Sequence, residues 1–285
     1  MNRVCIIFNP AARGEKSRRL LDRLRRTVGD TVIRVTQFPG DAEAQTERAL
    51  DQGYRTVVAA GGDGTVNEVV NGLNGTAATL GILPLGTINV FAMELGIPVQ
   101  LESSWEIVQR GRTKKVDLPR VGEQRFVQLA GVGLDAEILA RTNWWTRKTF
   151  GPVSYLLTAV GLLGRSAPPL TVTIDGKEKH QGRFLLVGNG RFYGGPFAVF
   201  PDAKLDDGLL DGCLFGELSA VAVARYVQGV LSRRHTRFSD VFYFQAKTLD
   251  VQSDRPVPLE VDGELYGHTP CFFSLAPAEL EVIVP

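Results

Sequence analysis

The sequence predicts a parallel, Rossmann-like α/β domain followed by a β-sandwich domain, and three features carry that prediction. Short apolar strands alternate with amphipathic helices from Val4 to about Leu118, the signature of a parallel sheet covered by helices. A glycine-rich turn, Gly61-Gly62-Asp63-Gly64-Thr65, joins an apolar strand to a helix. Beyond Leu118 the segments are short, β-rich and divided by Asp-Gly or Pro turns, as in an antiparallel sandwich.

Each element follows from local composition. Residues 4–8 form an apolar run too short for a signal peptide and read as the first strand. Further strands are expected at 31–36, 55–60, 79–83 and 114–118, with helices near 15–28, 41–52, 65–74, 87–95 and 101–110. The strand at 55–60 has the β-branched, apolar content of a buried strand. Thr65 with Glu68 three residues later fits an S/T-x-x-E capping box, which starts the helix at Thr65 and aims backbone N–H groups and the positive dipole end at the turn. In the second domain strands are expected at 126–129, 170–174, 183–187, 209–215, 242–249, 259–261 and 271–275, with helical insertions near 134–164 and 218–232. The expected boundary lies at 118/119. No flexible linker or repeat separates the two halves, so an active site in a fixed cleft between the domains is expected.

Composition narrows the function classes. The 285 residues are 44% hydrophobic, enough for conventional cores. Lys and Arg total 32 against 31 Asp and Glu, which argues against a nucleic-acid partner and confines any membrane contact to a local patch. Cys5, Cys213 and Cys271 are odd in number and far apart, fitting neither a disulfide framework nor a zinc site and pointing to a reducing, cytoplasmic compartment. The longest apolar stretch, 150–164, is shorter than the ~20 residues that span a bilayer.

Three strand-to-helix turns carry the chemistry. Asn9-Pro10-Ala11-Ala12-Arg13-Gly14 follows the first strand, Gly61 to Thr65 the third, and Pro84-Leu85-Gly86-Thr87-Ile88-Asn89 the fourth. Ligands of open parallel sheets bind at the carboxyl ends of strands, and glycine with small hydrogen-bonding side chains suits backbone cradling of a nucleotide triphosphate. The first domain therefore reads as an α/β nucleotide-binding domain. Gly64 is followed by Thr65-Val66 and not by Lys-Ser or Lys-Thr, so the turn is not that of a P-loop NTPase. Arg13, Lys16, Arg18 and Arg19 are candidates to neutralise phosphate charge, although a basic helix face is more often simply solvated.

At these residues the chain resembles the catalytic domains of diacylglycerol kinases and sphingosine kinases, particularly the soluble bacterial diacylglycerol kinase branch. The resemblance rests on Gly61 to Glu68 with Pro84-Leu85-Gly86-Thr87, and continues through Lys115-Val116-Asp117, Gly131-Val132-Gly133-Leu134-Asp135, Gly151-Pro152, Pro201 to Gly208 and Val261-Asp262-Gly263-Glu264. It covers nearly the whole chain. It implies an ATP-dependent, Mg²⁺-requiring lipid kinase with its active site between a nucleotide-binding domain (1–118) and a lipid-substrate sandwich (119–276), the end of the chain, about 277–285, returning to the first domain.

Carried over residue by residue, the resemblance places Asn9, Arg13, Gly61, Gly62, Asp63, Gly64, Thr65, Glu68, Gly86, Thr87 and Asn89 in the ATP site, with Thr36 as a phosphate contact. It assigns Asp63 to metal and water organisation. Asp262 and Glu264 match a late acidic pair in which the aspartate receives the proton of the lipid hydroxyl. Asp-Gly between apolar runs is also a type I′ hairpin signal, as at Asp175-Gly176, where no catalytic case exists. Lys204 to Leu209 resembles a metal loop in which the Asp207 carboxylate and the carbonyls of Lys204 and Leu209 hold Mg²⁺ or Ca²⁺; a plain Asp-Asp-Gly turn is the alternative.

Two positions depart from the family pattern. Asn89 is followed by Val90 where an aspartate is common, so one acid of the metal–water network is missing, and Gly14 stands one residue later than usual. For membrane access, Trp144-Trp145 among basic neighbours, followed by the apolar segment 155–163, fits an interfacial anchor as well as it fits a packed helix. The expected acceptor is diacylglycerol, with a sphingoid base, ceramide or monoacylglycerol as alternatives. NAD phosphorylation and a nucleotide-binding regulator without catalysis stand as competing readings. The expected partners are ATP, a lipid at a membrane surface and a second copy of the chain, with peripheral association to the membrane.

Overall fold

The computed structural model describes residues 3–10, 16–134, 136 and 168–285. Arg13, Gly14 and the segment holding Trp144 and Trp145 lie outside the described residues. Two compact units make up the chain: Met1–Leu118 with Arg125–Val127 and Ala276–Pro285, and Pro119–Gln124 with Gln128–Leu275.

The first unit runs β1 (Val4–Phe8), α1 (Lys16–Val28), β2 (Val32–Val35), α2 (Asp41–Asp51), β3 (Thr56–Gly61), α3 (Asp63–Leu73), β4 (Thr79–Pro84), α4 (Val90–Glu94), α5 (Leu101–Arg110) and the start of β5 (Thr113–Val121). Its strands are parallel in the order β2-β1-β3-β4, and the last residues of the chain pair beside β4, Glu281 opposite Thr79 and Val282 opposite Leu80. From β1 the chain steps to one side to form β2, then crosses back to form β3, so the order reverses between β1 and β3. That reversal is the switch point where open α/β sheets bind ligands. Every residue of β3 is buried, as its VVAA sequence demands, and Ile6, Phe8, Val58 and Leu83 pack against Leu24 of α1 and Leu101, Trp105 and Val108 of α5.

The second unit comprises the end of β5, the start of β6 (Gln124–Arg125), β7 (Leu129–Val132), β8 (Leu170–Ile174), β9 (Glu178–Gly182), β10 (Phe184–Gly188), β11 (Phe192–Tyr193), β12 (Phe197–Ala198), β13 (Leu210–Phe215), α6 (Ala220–Leu231), β14 (Val241–Ala246), β15 (Thr248–Ser253), β16 (Pro258–Val261), β17 (Glu264–His268) and the first half of β18 (Cys271–Ile283). Six strands form an antiparallel sheet in the order β14-β13-β10-β7-β16-β17, while β9, β8, β15 and Cys271 to Ser274 of β18 form a second antiparallel arrangement. This is the β-sandwich-like layer arrangement. Ser219 caps α6 by accepting from Ala222 N, and the helix lays Ala222 and Tyr226 on a core of Leu129, Phe184, Leu186, Cys213 and Phe215.

Several sequence expectations are corrected. Helix α3 begins at Asp63, two residues early, with Gly62 as its extended N-cap; Thr65 is therefore not the cap. Residues 126–128 are not strand; β7 starts at Leu129. The expected strand at 242–249 is two strands, because β14 pairs with β13 and β15 with β8 and β18. The polar strands β9 (EKHQG) and β17 (ELYGH) have no apolar alternation to announce them and close the ends of their sheets. Among the described residues no helix is long and apolar enough to cross a membrane.

Candidate active site

The carboxyl ends of β1, β3 and β4 build one polar floor in the first unit. Two turns meet there so closely that side chains are excluded: a Cβ on Gly86 would lie 2.4 Å from Gly62 Cα and 2.7 Å from Asn89 Oδ1, and one on Gly61 would lie 2.3 Å from Thr65 Oγ1. Gly61 O accepts from Leu85 N and Gly86 N at 2.8 and 3.0 Å, tying the turns together. Asn89, buried and left-handed at φ 58°, closes the second turn on itself: its Oδ1 accepts from Gly86 N at 3.0 Å and its Nδ2 donates to Gly86 O at 3.2 Å. Across the switch point Asn9 Nδ2 donates to Thr65 Oγ1 at 3.1 Å. Beyond the end of β2, Thr36 is buried and donates its N–H to Phe8 O at 2.9 Å. Asn9, Gly61, Gly62, Asp63, Gly64, Thr65, Gly86 and Asn89 are thus brought together, and Thr87 stands exposed at the rim.

Asp63 is the acid of this floor. Its Oδ1 accepts from Phe91 N at 3.4 Å, at the start of α4. Burial pushes its carboxyl above the usual range, and backbone N–H groups of Phe91, Val90, Asn89 and its own residue pull it partly back. Val90, in the place of the second family acid, is a buried first residue of α4.

Glu68 has a different job from the expected capping box. Its Oε2 accepts from Ala42 N at 2.9 Å, so it serves the start of α2 and not its own helix. The reason is the early start of α3: with Gly62 as N-cap, position 68 lies too far along the helix to reach back.

In the second unit Asp262 and Gly263 form the two-residue turn between β16 and β17, both left-handed at φ 46° and 87°. Asp262 Oδ1 accepts from Gln128 N and Leu129 N at 3.1 and 3.0 Å, and Asp262 N donates to Leu129 O at 2.8 Å. The turn and the candidate base are therefore one object. Glu264 is exposed at the head of β17. Sequence reasoning missed Gln128, whose part is played by a backbone N–H that no side-chain motif marks, and Glu260, buried beneath the turn, whose signal was a lone charge inside the run Leu259-Glu260-Val261.

Lys204, Asp207 and Leu209 lie in the loop 204–209 that leads into β13, with Asp207 Oδ1 accepting from Leu209 N at 3.1 Å. Behind it Asp211 is fully buried, and burial raises its carboxyl to about 6, against hydrogen bonds from Tyr243 and Gln245 and with the negative field of Asp207 and Asp202 adding to the rise. Among the described residues no group of three or more His, Cys, Asp or Glu side chains is gathered to hold a metal.

A parallel α/β unit with paired glycine turns at its switch point, on a chain that continues into an acid-bearing β-sandwich, defines a nucleotide-cradling phosphotransferase. Comparison with known proteins makes the class specific. Residues 3–121 match the diacylglycerol kinase catalytic domain and residues 128–284 the YegS C-terminal NAD kinase beta sandwich-like domain. The chain is 32% identical to a diacylglycerol kinase of Staphylococcus aureus (strain MRSA252), over 99% of this chain and 92% of that one. It is 30% identical to a diacylglycerol kinase of Staphylococcus carnosus, over 99% and 95%. A crystal structure of a diacylglycerol kinase from Bacillus anthracis superposes with a TM-score of 0.81 at 26% identity, covering 100% of this chain and 97% of that one. The chain belongs to the diacylglycerol kinase catalytic-domain family, and it is an ATP-dependent lipid kinase.

Proposed function

We propose that this protein transfers the γ-phosphoryl group of ATP to the free hydroxyl of diacylglycerol, giving phosphatidic acid. The observation that carries the reading is the pair of turns, Gly61 to Thr65 and Pro84 to Asn89, locked together at the carboxyl ends of β3 and β4 with no room for side chains at Gly61 and Gly86, the kind of backbone surface that cradles phosphate. The acceptor rests on relatives named diacylglycerol kinase that align along nearly the full chain.

Phosphoryl transfer asks the protein mainly to position its reactants and to offset charge. Asn9, Thr36, Gly61, Gly62, Gly64, Thr65, Gly86, Thr87 and Asn89 would hold the ATP phosphates, with Arg13 supplying positive charge. Glu68 would support that site from behind, by fixing α2. Asp262, held by two backbone N–H groups, would receive the proton of the lipid hydroxyl, with Glu264 completing the acidic pair.

Magnesium fits the donor set. Asp63 is a half-buried carboxyl whose charged form a neighbouring cation would favour, and the loop of Lys204, Asp207 and Leu209 offers hard oxygen donors in front of buried Asp211. When bound at Asp63, the ion would offset part of the phosphate charge. The enzyme would meet its lipid at a membrane surface, and a homodimer is the assembly to be tested alongside.

The test is ATP-dependent phosphate incorporation in mixed micelles of diacylglycerol, monoacylglycerol, sphingosine, ceramide and undecaprenol, with NAD⁺ alongside and light scattering for the assembly. Labelling of diacylglycerol that Asp262→Asn abolishes is the expected result. Labelling of another lipid would move the acceptor, and labelled NAD⁺ would overturn the lipid reading.

A further inference from the structure

Behind the Asp262–Gly263 turn lies a carboxylate that neither the ATP site nor the acidic pair uses. Glu260 is 2% exposed, and its Oε2 accepts from Gly263 N at 2.8 Å, bracing the turn from the buried side. Glu260 lies in β16, two residues before Asp262, which is the first residue of the turn that follows. On the neighbouring strand β7 Glu260 stands opposite Gly131, a residue without a side chain.

Two features separate this from ordinary turn construction. Burying a carboxylate is costly unless something is gained from it. A second Asp-Gly turn in the same unit does without one: at Asp175–Gly176 the position two residues earlier is Thr173. The ladder also breaks at Glu260. Pairing of β16 with β17 shifts register between Leu259 and Glu260, leaving Tyr266 as an extra residue, whereas β8 and β9 pair without a shift. Bulges of this kind re-aim a side chain next to a working site.

We infer that Glu260 is a positioning residue for phosphoryl transfer: it fixes the Asp262–Gly263 turn through the Gly263 N–H, so that the Asp262 carboxylate meets the acceptor hydroxyl at a set angle. The inference rests on the assignment of Asp262 as the base. Acting through the turn, Glu260 would have its effect on kcat. A small misplacement of a reacting group can cost roughly 10²-fold.

The experiment compares wild type, Glu260→Gln, Glu260→Ala and Asp262→Asn for kcat, for KM of ATP and of diacylglycerol in mixed micelles, for ATP affinity by calorimetry and for thermal midpoint. Glu260→Gln keeps an oxygen that accepts the Gly263 N–H and should remain close to wild type. Glu260→Ala should lower kcat by roughly 10-fold to 10²-fold with ATP affinity unchanged. If the alanine variant does not fold, Glu260→Met, which fills the volume without accepting a hydrogen bond, takes its place with the same expectation. Wild-type kcat in the alanine or methionine variant overturns the inference, and so does a glutamine variant as impaired as they are. Asp262→Asn separates the two readings. If it is fully active, the base assignment fails whatever Glu260 does; if it is inactive while Glu260→Ala is unimpaired, only the positioning role fails.

Discussion

Asp175–Gly176 and Asp262–Gly263 are the same dipeptide in nearly the same local structure, yet only one has a place in the proposed reaction. Both aspartates are left-handed, at φ 48° and 46°. Both use one carboxylate oxygen to accept two consecutive backbone N–H groups where another strand begins, Lys247 and Thr248 at 2.9 Å each in one case, Gln128 and Leu129 in the other. The Asp-Gly pair, the positive φ and the amide-bound carboxylate are therefore requirements of the turn. The differences lie behind it. Asp175 is exposed on a regular three-residue loop, whereas Asp262 is half-buried on a tight turn with a bulge and a buried glutamate beneath.

The largest effect should come from treating the two turns alike. Asn for Asp keeps an amide-accepting oxygen and tolerates the left-handed backbone, so both turns should survive. Asp262→Asn should lower kcat by roughly 10²-fold to 10⁴-fold, the usual contribution of a positioned base. Asp175→Asn should leave kcat at the wild-type value. Parallel assays of the two variants check this, and equal losses would reduce Asp262 to a structural residue.

A second contrast sets a glycine required by close approach against one required by φ. Gly86→Ala would press a methyl into Gly62 Cα, and the two turns cannot both stay in place. ATP affinity should fall more than 10-fold, an order of magnitude that corresponds to the roughly 1–3 kcal/mol of an overpacked site. Gly176 at φ 68° has no atom within 4 Å of an added Cβ. Its alanine variant should lose about 1–2 kcal/mol of stability through backbone strain and no ATP affinity. Isothermal calorimetry with ATP and thermal melts distinguish the two.

The legibility of the chain followed the same division between form and site. Strands such as β3 and β4 were plain because burial on both faces leaves a continuous apolar run. Strands β9 and β17, at sheet ends and largely exposed, carried no such signal. The glycines of the two turns were legible because close approach restricts the residue type, at Gly61, Gly62 and Gly86. Glu68 was misplaced because its spacing from Thr65 matched a local motif while its real partner, Ala42, lies 26 residues away. The anchors of Asp262 were invisible for a related reason: backbone N–H groups of residues 128 and 129 belong to every sequence.

Glu68 supplies the next test, since this acid of α3 has a structural partner. Glu68→Ala leaves the buried Ala42 N–H without its acceptor, which should cost about 1–3 kcal/mol of stability. Any fall in kcat should be much smaller than that of Asp262→Asn. Denaturant unfolding beside turnover measurements checks the split, and a loss of kcat at unchanged stability would return Glu68 to the chemistry.

The smallest effect concerns a left-handed residue with no side-chain argument at all. Ala278, in the returning strand β18, has φ 52°, and its N–H donates to the buried Asp117 Oδ1 at 2.7 Å. Aspartate at 175 and 262 offsets the strain of this backbone with its own hydrogen bonds, but alanine cannot. Glycine removes the steric penalty of about 1–2 kcal/mol and gives back part of it as unfolded-state entropy. Ala278→Gly should therefore raise stability by roughly 0.5–1 kcal/mol and leave turnover unchanged. A thermal melt reads this directly. A drop in stability would mean that Asp117 depends on the stiffness of the Ala278 backbone more than on its φ, and left-handed geometry at 262 would then weigh less as a cost that its neighbours must offset.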